Sequence, residues 1–505
     1  MQTMLRFPTR LALVALALGV AADLLFYRRA LGISLPLFVM LGLGLLIWRA
    51  RAEERPPALA NLWLGAAALL FALLVAVRAN MALTALNLCA CAALLFLQAM
   101  SFRSEPIGAL STGQLLVRGL LTSLEMIFLP AALFADAASR LPAGGERIRA
   151  LAPVGRGVVL AAPVLATFTL LLAGADSVFA SFVAAVLNIQ LPFDAAEVLG
   201  HGMFVGAFAW ACAGGMLVAL HDRPAPSYEE LPAEGVTRPL RAAELRGGWR
   251  PIGAIEALTV LVAVDVLFGG FMLVQAAYLF GGLDTLQRTG MTYAEYARRG
   301  FFELLAVACM SLGLLWLLAL LTRRDTPGRR RAFNAACGLM TALVLGLLAS
   351  AFQRMLLYQA AYGFTQLRIY TLSFMVWLAL VLVLFMAALL RDRPRLFTFG
   401  GFVSALVCLA TLNLANPDVL IVRENIARYQ ASGDLDARYL ARLSADAAPA
   451  LVASLGALGD EERAIITDAL KGQLAQIEQI EAESGWPAWH LGRQAAKQAI
   501  ERAVP

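Results

Sequence analysis

The sequence predicts an all-α protein: a polytopic transmembrane helical bundle of about eleven spans, with twelve as the alternative, followed by a small C-terminal helical soluble domain. Three observations predict it. Hydrophobic residues make up 60% of the 505 positions and charged residues 15%, against roughly 25% charged in ordinary soluble domains. The apolar residues fall into runs close to the ~20 residues a helix needs to cross a bilayer core. After Ala415 these runs stop and short amphipathic segments punctuated by Asn, Asp and Gly take over. That shift divides a membrane domain, 1–414, from a tail domain, 415–505.

Charge gives the orientation. Of 41 basic residues only Lys471 and Lys497 are lysine, so the net charge of +6 is an arginine excess. The arginines cluster between apolar runs, a pattern that marks membrane sidedness rather than a nucleic-acid partner. The six cysteines (Cys89, Cys91, Cys212, Cys309, Cys337, Cys408) all lie inside apolar runs, where thiols behave as small buried hydrophobes. They indicate neither a disulfide framework nor a zinc site. Cys89 and Cys91, two apart on a helix, point to different faces.

In order, the spans are 9–27, 30–48, 60–77, 81–100, 157–176, 198–220, 252–280, 301–322, 332–354, 367–390 and 397–415. The first imitates a secretory signal, with Arg6 and Arg10 ahead of it, but its apolar character continues to Tyr27 and many spans follow. Residues 115–137 carry Arg118, Thr122, Glu125 and Pro130, which suits an interfacial or re-entrant helix better than a lipid-facing one. The positive-inside bias makes four connections cytoplasmic. They hold Arg140 to Arg156, Arg223 to Arg250, Arg323 to Arg331, and Arg391 to Arg395. The amino terminus is then cytoplasmic and the carboxyl terminus extracytoplasmic. In the tail, Asn416 and Pro417 start a helix that Gly433 ends. Asp434 to Asp436 start the next, Ser444 and Asp446 a third, Asp460-Glu461-Glu462 a long one, and Trp486-Pro487 the last. The stripe Leu451, Leu455, Ile465, Ile466 and Leu470 reads as core.

The densest polar stretch is 353–370, QRMLLYQAAYGFTQLRIY, set between two long apolar runs. Arg354, Tyr358 and Tyr362 lie four apart and share a helix face, and Gly363 breaks that helix ahead of Arg368. Upstream, Thr292 to Glu295 has capping-box spacing, Tyr293 and Tyr296 suit the interface as aromatic anchors, and Glu295, Arg299 and Glu303 form a ladder at four-residue intervals. Together with Gln275 and Tyr278 these residues are candidates for one extracytoplasmic mouth. Asp265 sits near the middle of its span, where a carboxylate costs several kcal/mol unless protonated, paired or facing water. It is the candidate protonatable group, or else a neutral contact between helices, with Gly269 and Gly270 one turn on.

Asp194, Glu197 and His201 share a face at the start of the sixth span. Carboxylate and imidazole one turn apart can bind a metal or relay a proton, although Asp194 also suits a helix cap. No glycine-rich nucleotide loop, GxSxG elbow, HExxH or kinase signature appears. Nothing positive therefore supports an enzyme, and no cofactor is expected. The paired, interrupted helices of a repeat-built transporter are not visible either.

Four blocks resemble a bacterial membrane family described as domain of unknown function four-one-seven-three. The first is Gly157 to Leu160 through Pro163, with Ala175 to Phe179. The second is Gln275 to Gly282 with Thr292 to Glu303, and the third is Arg354 to Tyr358 with Tyr362 to Thr365 and Arg368. The fourth is Asn416 to Asp418, Asn425 to Arg428, Leu435-Asp436, Tyr439-Leu440 and Leu443 to Leu451. The likeness runs from about 157 to 451 and leaves the amino-terminal spans out. It implies a bacterial inner-membrane protein and links the mouth to the tail without implying an activity. The partners expected are the lipid bilayer, a small solute or lipid at the mouth, and an envelope protein at the tail. The functional expectation is passage or binding of a solute or lipid; its rival is a sensor or assembly scaffold acting through the tail.

Overall fold

A long apolar run that leaves water must satisfy its backbone polar groups, and a helix does so within the segment itself. A computed structural model describes residues 8–110, 112–139, 195–220, 253–280, 301–322 and 326–503. Among these the chain is helical, with no strand. The membrane helices are α1 (Pro8–Phe26), α2 (Ser34–Ala52), α3 (Leu62–Val77), α4 (Met81–Ser101), α5 (Thr112–Ser139), α6 (Ala195–Leu220), α7 (Ala254–Phe280), α8 (Phe301–Leu321), α9 (Pro327–Tyr362), α10 (Gln366–Leu390) and α11 (Pro394–Ala415). Each contains a stretch long and apolar enough to cross a bilayer, eleven such helices among the described residues. The chain is thus a multi-pass membrane protein. The eleven differ in one member from the sequence reading. The stretch 115–137 belongs to α5, a continuous 28-residue helix with Pro130 inside, and Thr112–Ala131 qualifies by length and apolarity. The expected span 157–176 lies outside the described residues.

The tail folds as its caps predict. Asn416 accepts from Val419 N–H at 3.5 Å to open α12 (Pro417–Ser432), and Gly433 closes it at φ 75°. Asp436 caps α13 (Ala437–Leu440). Ser444 caps a single 3-10 turn, Ala445–Ala447, ahead of α14 (Ala448–Ser454). The three leading acids open α15 (Asp460–Ser484), matching the positive end of its dipole. A 3-10 turn at Trp486–Ala488 precedes α16 (Leu491–Ala503). Leu451, Ile466 and Leu470 are buried as expected, while Leu455 is half-buried.

The chain divides into two compact units. The first holds the described parts of Met1–Ile107 and Gly113–Ala225 together with Gln473–Lys497. Within it α1 packs along α6, α2 on α3, and α3 on α4. Gly19 is needed at the α1–α6 crossing, since a Cβ there would stand 2.4 Å from the Val205 carbonyl; small residues let membrane helices approach this closely. Pro130 has no N–H for the Met126 carbonyl one turn back, and α6 covers that gap. Trp210 donates from Nε1 to the Ile127 carbonyl at 3.0 Å, and Gly214 lies so close that a Cβ would stand 2.4 Å from the Met126 carbonyl oxygen. Arg55 donates to the Leu220 carbonyl, so the arginine-bearing turn after α2 and the end of α6 share one end of this unit. Cys91 is buried and Cys89 exposed, on different faces as read from their spacing.

The second unit holds Gly108–Thr112, the described parts of Pro226–Gly472, and Gln498–Pro505. Its core is one stripe of α9: Phe333, Cys337, Met340, Val344, Leu347, Ala351 and Met355. Spacings of three and four put these on one face, which packs against Leu261 of α7, Leu304, Ala308 and Leu315 of α8, and Met375, Leu378, Leu382 and Phe385 of α10. The opposite faces show large apolar side chains such as Leu267 and Met310, as surfaces solvated by lipid tails do. With 36 residues, α9 is about 54 Å long at 1.5 Å per residue, against a hydrocarbon core of about 30 Å. Its ends therefore project. At one end Arg330 pairs with Asp392 at 3.2 Å. At the other lie the turn into α10 and the tail helices α12 to α14.

Candidate functional site

The turn between α9 and α10 is three residues long, and the tail holds it. Gly363 ends α9 at φ 77°, ψ −177°, a conformation essentially confined to glycine. A Cβ there would stand 2.3 Å from Asn425 Oδ1. Asn425, buried on α12, pairs with the backbone of Phe364 in both directions. Its Oδ1 accepts from Phe364 N–H at 2.9 Å and its Nδ2 donates to the Phe364 carbonyl at 2.8 Å. One turn later on α12, Arg428 donates to the Ala361 carbonyl at 3.0 Å. It thereby satisfies a carbonyl at the negative end of α9, and it also reaches Asp434 at 3.1 Å.

Gln366, the first residue of α10, is held by two tail residues. Its N–H donates to the Tyr439 hydroxyl oxygen at 2.8 Å and its Nε2 donates to Asp418 Oδ1 at 2.7 Å. The other oxygen of Asp418 accepts from Ser444 N–H at 3.2 Å and from the Ser444 hydroxyl. Asp418 is wholly buried, and the donors of Gln366 and Ser444 meet both of its carboxylate oxygens. Burial pushes the Tyr439 phenol above its ordinary value, with Asp418 and Asp436 adding to the rise against the Gln366 N–H and Arg368. The hydroxyl keeps its proton.

The predicted mouth residues fall into this frame unevenly. The rings of Tyr358 and Tyr362 lie 4.9 Å apart, and the Arg368 guanidinium sits 4.3 Å from the Tyr358 centroid, a cation–π distance. Arg368 also donates to the Gly363 carbonyl. Arg354 is half-buried on the same face of α9, and Glu303 is exposed at the start of α8. Tyr293, Tyr296 and Arg299 lie outside the described residues, as do the side chains of Gln275 and Tyr278. The 354–368 half of the expected site is brought together, and it is packed against itself and the tail.

Asp265 is buried on α7 on the same stripe as Ala257, Leu261 and Phe268, which belong to or pack on the apolar core. Neither of its carboxylate oxygens has a hydrogen-bond partner among the described residues. No described atom lies within 4 Å of a Cβ built at Gly269 or Gly270, so the close helix approach expected there is not made by described residues.

In the first unit His201 turns to α1. Its Nδ1 lies 2.7 and 2.8 Å from the two oxygens of Asp23, and its ring lies 4.0 Å from that of Tyr27, tilted by 35°. Glu197 is exposed, and Asp194 lies outside the described residues. Among the described residues no three His, Cys, Asp or Glu side chains are grouped to hold a metal. Asp23 went unnoticed in the sequence because its partner is 178 positions away. Asp418, Asn425 and Tyr439 were visible only as parts of a family-like block with no role attached, and Ser444 as part of it and as a helix start.

No curated protein and no solved structure matches the chain. A family match covers residues 64–454. It therefore reaches well ahead of the 157–451 likeness and takes in most of α3, with α4 and α5, which that likeness had left out. With the α9–α10 turn and its tail clamp both inside the matched region, the chain belongs to the family described as Domain of unknown function (DUF4153).

Proposed function

We propose that this membrane protein is a non-transporting scaffold or sensor of the bacterial inner membrane. Its bundle holds the C-terminal helices on the extracytoplasmic face for recognition of an envelope partner. The observation that carries this reading is the clamp at the α9–α10 turn. Asn425 fills both backbone bonds of Phe364, while Gln366 is tied to Asp418 and Tyr439. A ligand mouth needs donors left free for its ligand; here the tail and Arg368 occupy the donors and acceptors of the turn itself. The sidedness is supported by the second unit, where the Arg330–Asp392 end of α9 is opposite the end that carries the tail, and arginine-rich turns favour the cytoplasm.

The test places a photo-crosslinking amino acid at exposed tail positions Asp468 and Glu478 of the full-length protein in living cells. The scaffold reading expects a discrete crosslinked partner that is lost in Asn425→Leu and kept in Asp265→Asn. Absence of any adduct at either position, or an adduct pattern unchanged in Asn425→Leu, would sink it.

One observation favours passage of a small solute or lipid instead: the buried carboxyl group of Asp265, which has no hydrogen-bond partner among the described residues. An ionisable group inside a membrane bundle is a functional candidate by default. The two readings differ in sign on one substitution. If Asp265 has no task, Asp265→Leu removes the cost of burying an unpaired polar group, about 1–3 kcal/mol, and the thermal midpoint in detergent rises. If Asp265 carries protons, Asp265→Asn abolishes pH-driven proton movement in vesicles containing the protein.

A further inference from the structure

We propose that the corner joining α15 to α16, together with the α1–α2 turn beneath it, is a seat for the anionic phospholipid headgroups of the surrounding bilayer. Backbone bonds fix the depth of this corner. Ile33 N–H donates to the Trp489 carbonyl at 2.9 Å, and Ala30 N–H donates to Ser484 Oγ at 3.0 Å. Arg493 donates to the carbonyls of Leu31 at 2.6 Å and Ala488 at 2.7 Å. A Cβ on Gly32 would stand 2.3 Å from the Trp489 carbonyl oxygen, so the two segments touch backbone to backbone. Because α1 ends at Phe26 and α2 starts at Ser34, a corner bonded to residues 30–33 lies at the level where membrane helices leave the hydrocarbon.

At that level the corner presents Trp486, Trp489 and Leu491, which are 64%, 43% and 48% exposed. A water-soluble surface gains nothing from two exposed indoles three residues apart, whereas the headgroup layer takes up their amphipathic rings. The adjoining turn adds Arg28 and Arg29, both exposed and without an ion-pair partner among the described residues. Arg28 is held at φ 52°, a left-handed conformation uncommon for a side chain of this size, with its guanidinium 5.7 Å from the Tyr27 ring. The acids nearby are already engaged: Glu481 with Lys497 at 2.8 Å and Glu483 with Gln479 at 2.8 Å. Two exposed guanidinium groups on the turn that is bonded to a corner with two exposed indoles, at a fixed bilayer depth, match a phosphate headgroup and the ester layer below it.

The test uses the full-length protein reconstituted into vesicles whose lipids carry bromine either high or low on the acyl chain. The signal read is the tryptophan fluorescence difference between the natural protein and Trp486→Phe/Trp489→Phe, two conservative changes at exposed positions. That difference should be quenched by the shallow bromines, less by the deep ones, and be protected from iodide in the water. It should shift to shorter wavelength when anionic lipid is added to neutral vesicles. Arg28→Gln/Arg29→Gln should cancel this shift while leaving the shallow quenching in place. Quenching by iodide with none by bromolipid would overturn the proposal, because the corner would then face water or a protein. An unchanged response to anionic lipid in the arginine variant would also overturn the assignment of the headgroup seat.

Discussion

Gly363 carries two constraints at once, a backbone conformation that side-chain-bearing residues avoid and an Asn425 oxygen where its Cβ would stand. Gly363→Ala should therefore lower the thermal midpoint of the full-length protein. The conformational part alone is worth about 1–3 kcal/mol. Pairing it with Asn425→Ala relieves the collision and leaves the strain, so the double variant should recover part of the loss relative to the sum of the singles. Full additivity would mean that the two residues do not meet. Asn425→Asp is a sharper probe of the clamp, since it keeps shape while removing the Nδ2 donor and setting a second acceptor against the Phe364 carbonyl. Leaving buried partners unsatisfied costs about 1–3 kcal/mol. The expected readout is faster proteolysis within α12 to α14 with the membrane helices intact.

The last tail helix makes a second prediction at the scale of an element. His490 is buried where α16 begins, and its Nδ1 accepts from Arg493 N–H at 3.3 Å. That bond requires an unprotonated Nδ1. Burial first and the Arg493 charge second lower its pKa from 6.5 to about 4. A lowered pKa means that the undocked segment takes up the proton before the docked one does, so docking weakens as pH falls. The loss begins near pH 6.5, proceeds at about 1.4 kcal/mol per pH unit, and stops near pH 4; above 6.5 there is no dependence from this group. Hydrogen exchange across 484–503 should accelerate in that window, and His490→Gln should flatten the response. Elements of this kind were the most legible part of the sequence: Asn416, Gly433, Asp436 and Ser444 announce helix ends through local chemistry. The clamp was not legible, because Asn425 and Phe364 are 61 positions apart and nothing local about an asparagine on a helix names the backbone it will bind. Nor was α5, whose Arg118, Glu125 and Pro130 disguise a continuous helix that covers its proline break with Trp210 of α6.

Across the whole molecule, each unit has an arginine-bearing turn at the end of its helices away from a tail segment, and in the first unit the α1–α2 turn at the tail end also carries Arg28 and Arg29. In the first, Arg55 meets the end of α6, while the α15–α16 corner meets the α1–α2 turn. In the second, Arg330 meets Asp392, while α12 meets the α9–α10 turn. Arginine in short connections resists translocation, so a reporter that matures only outside the cytoplasm should be active when fused after Pro505. It should be silent when inserted after Asp392. A cytoplasm-only reporter should give the reverse pattern. The Asp392 site is decisive because the α10–α11 turn is two crossings from the amino terminus of α9 by any count of the earlier helices. The number of crossings ahead of α9 therefore does not enter its relation to the tail. If the cytoplasm-only reporter were active at both sites, α11 would not span and the tail would lie in the cytoplasm instead.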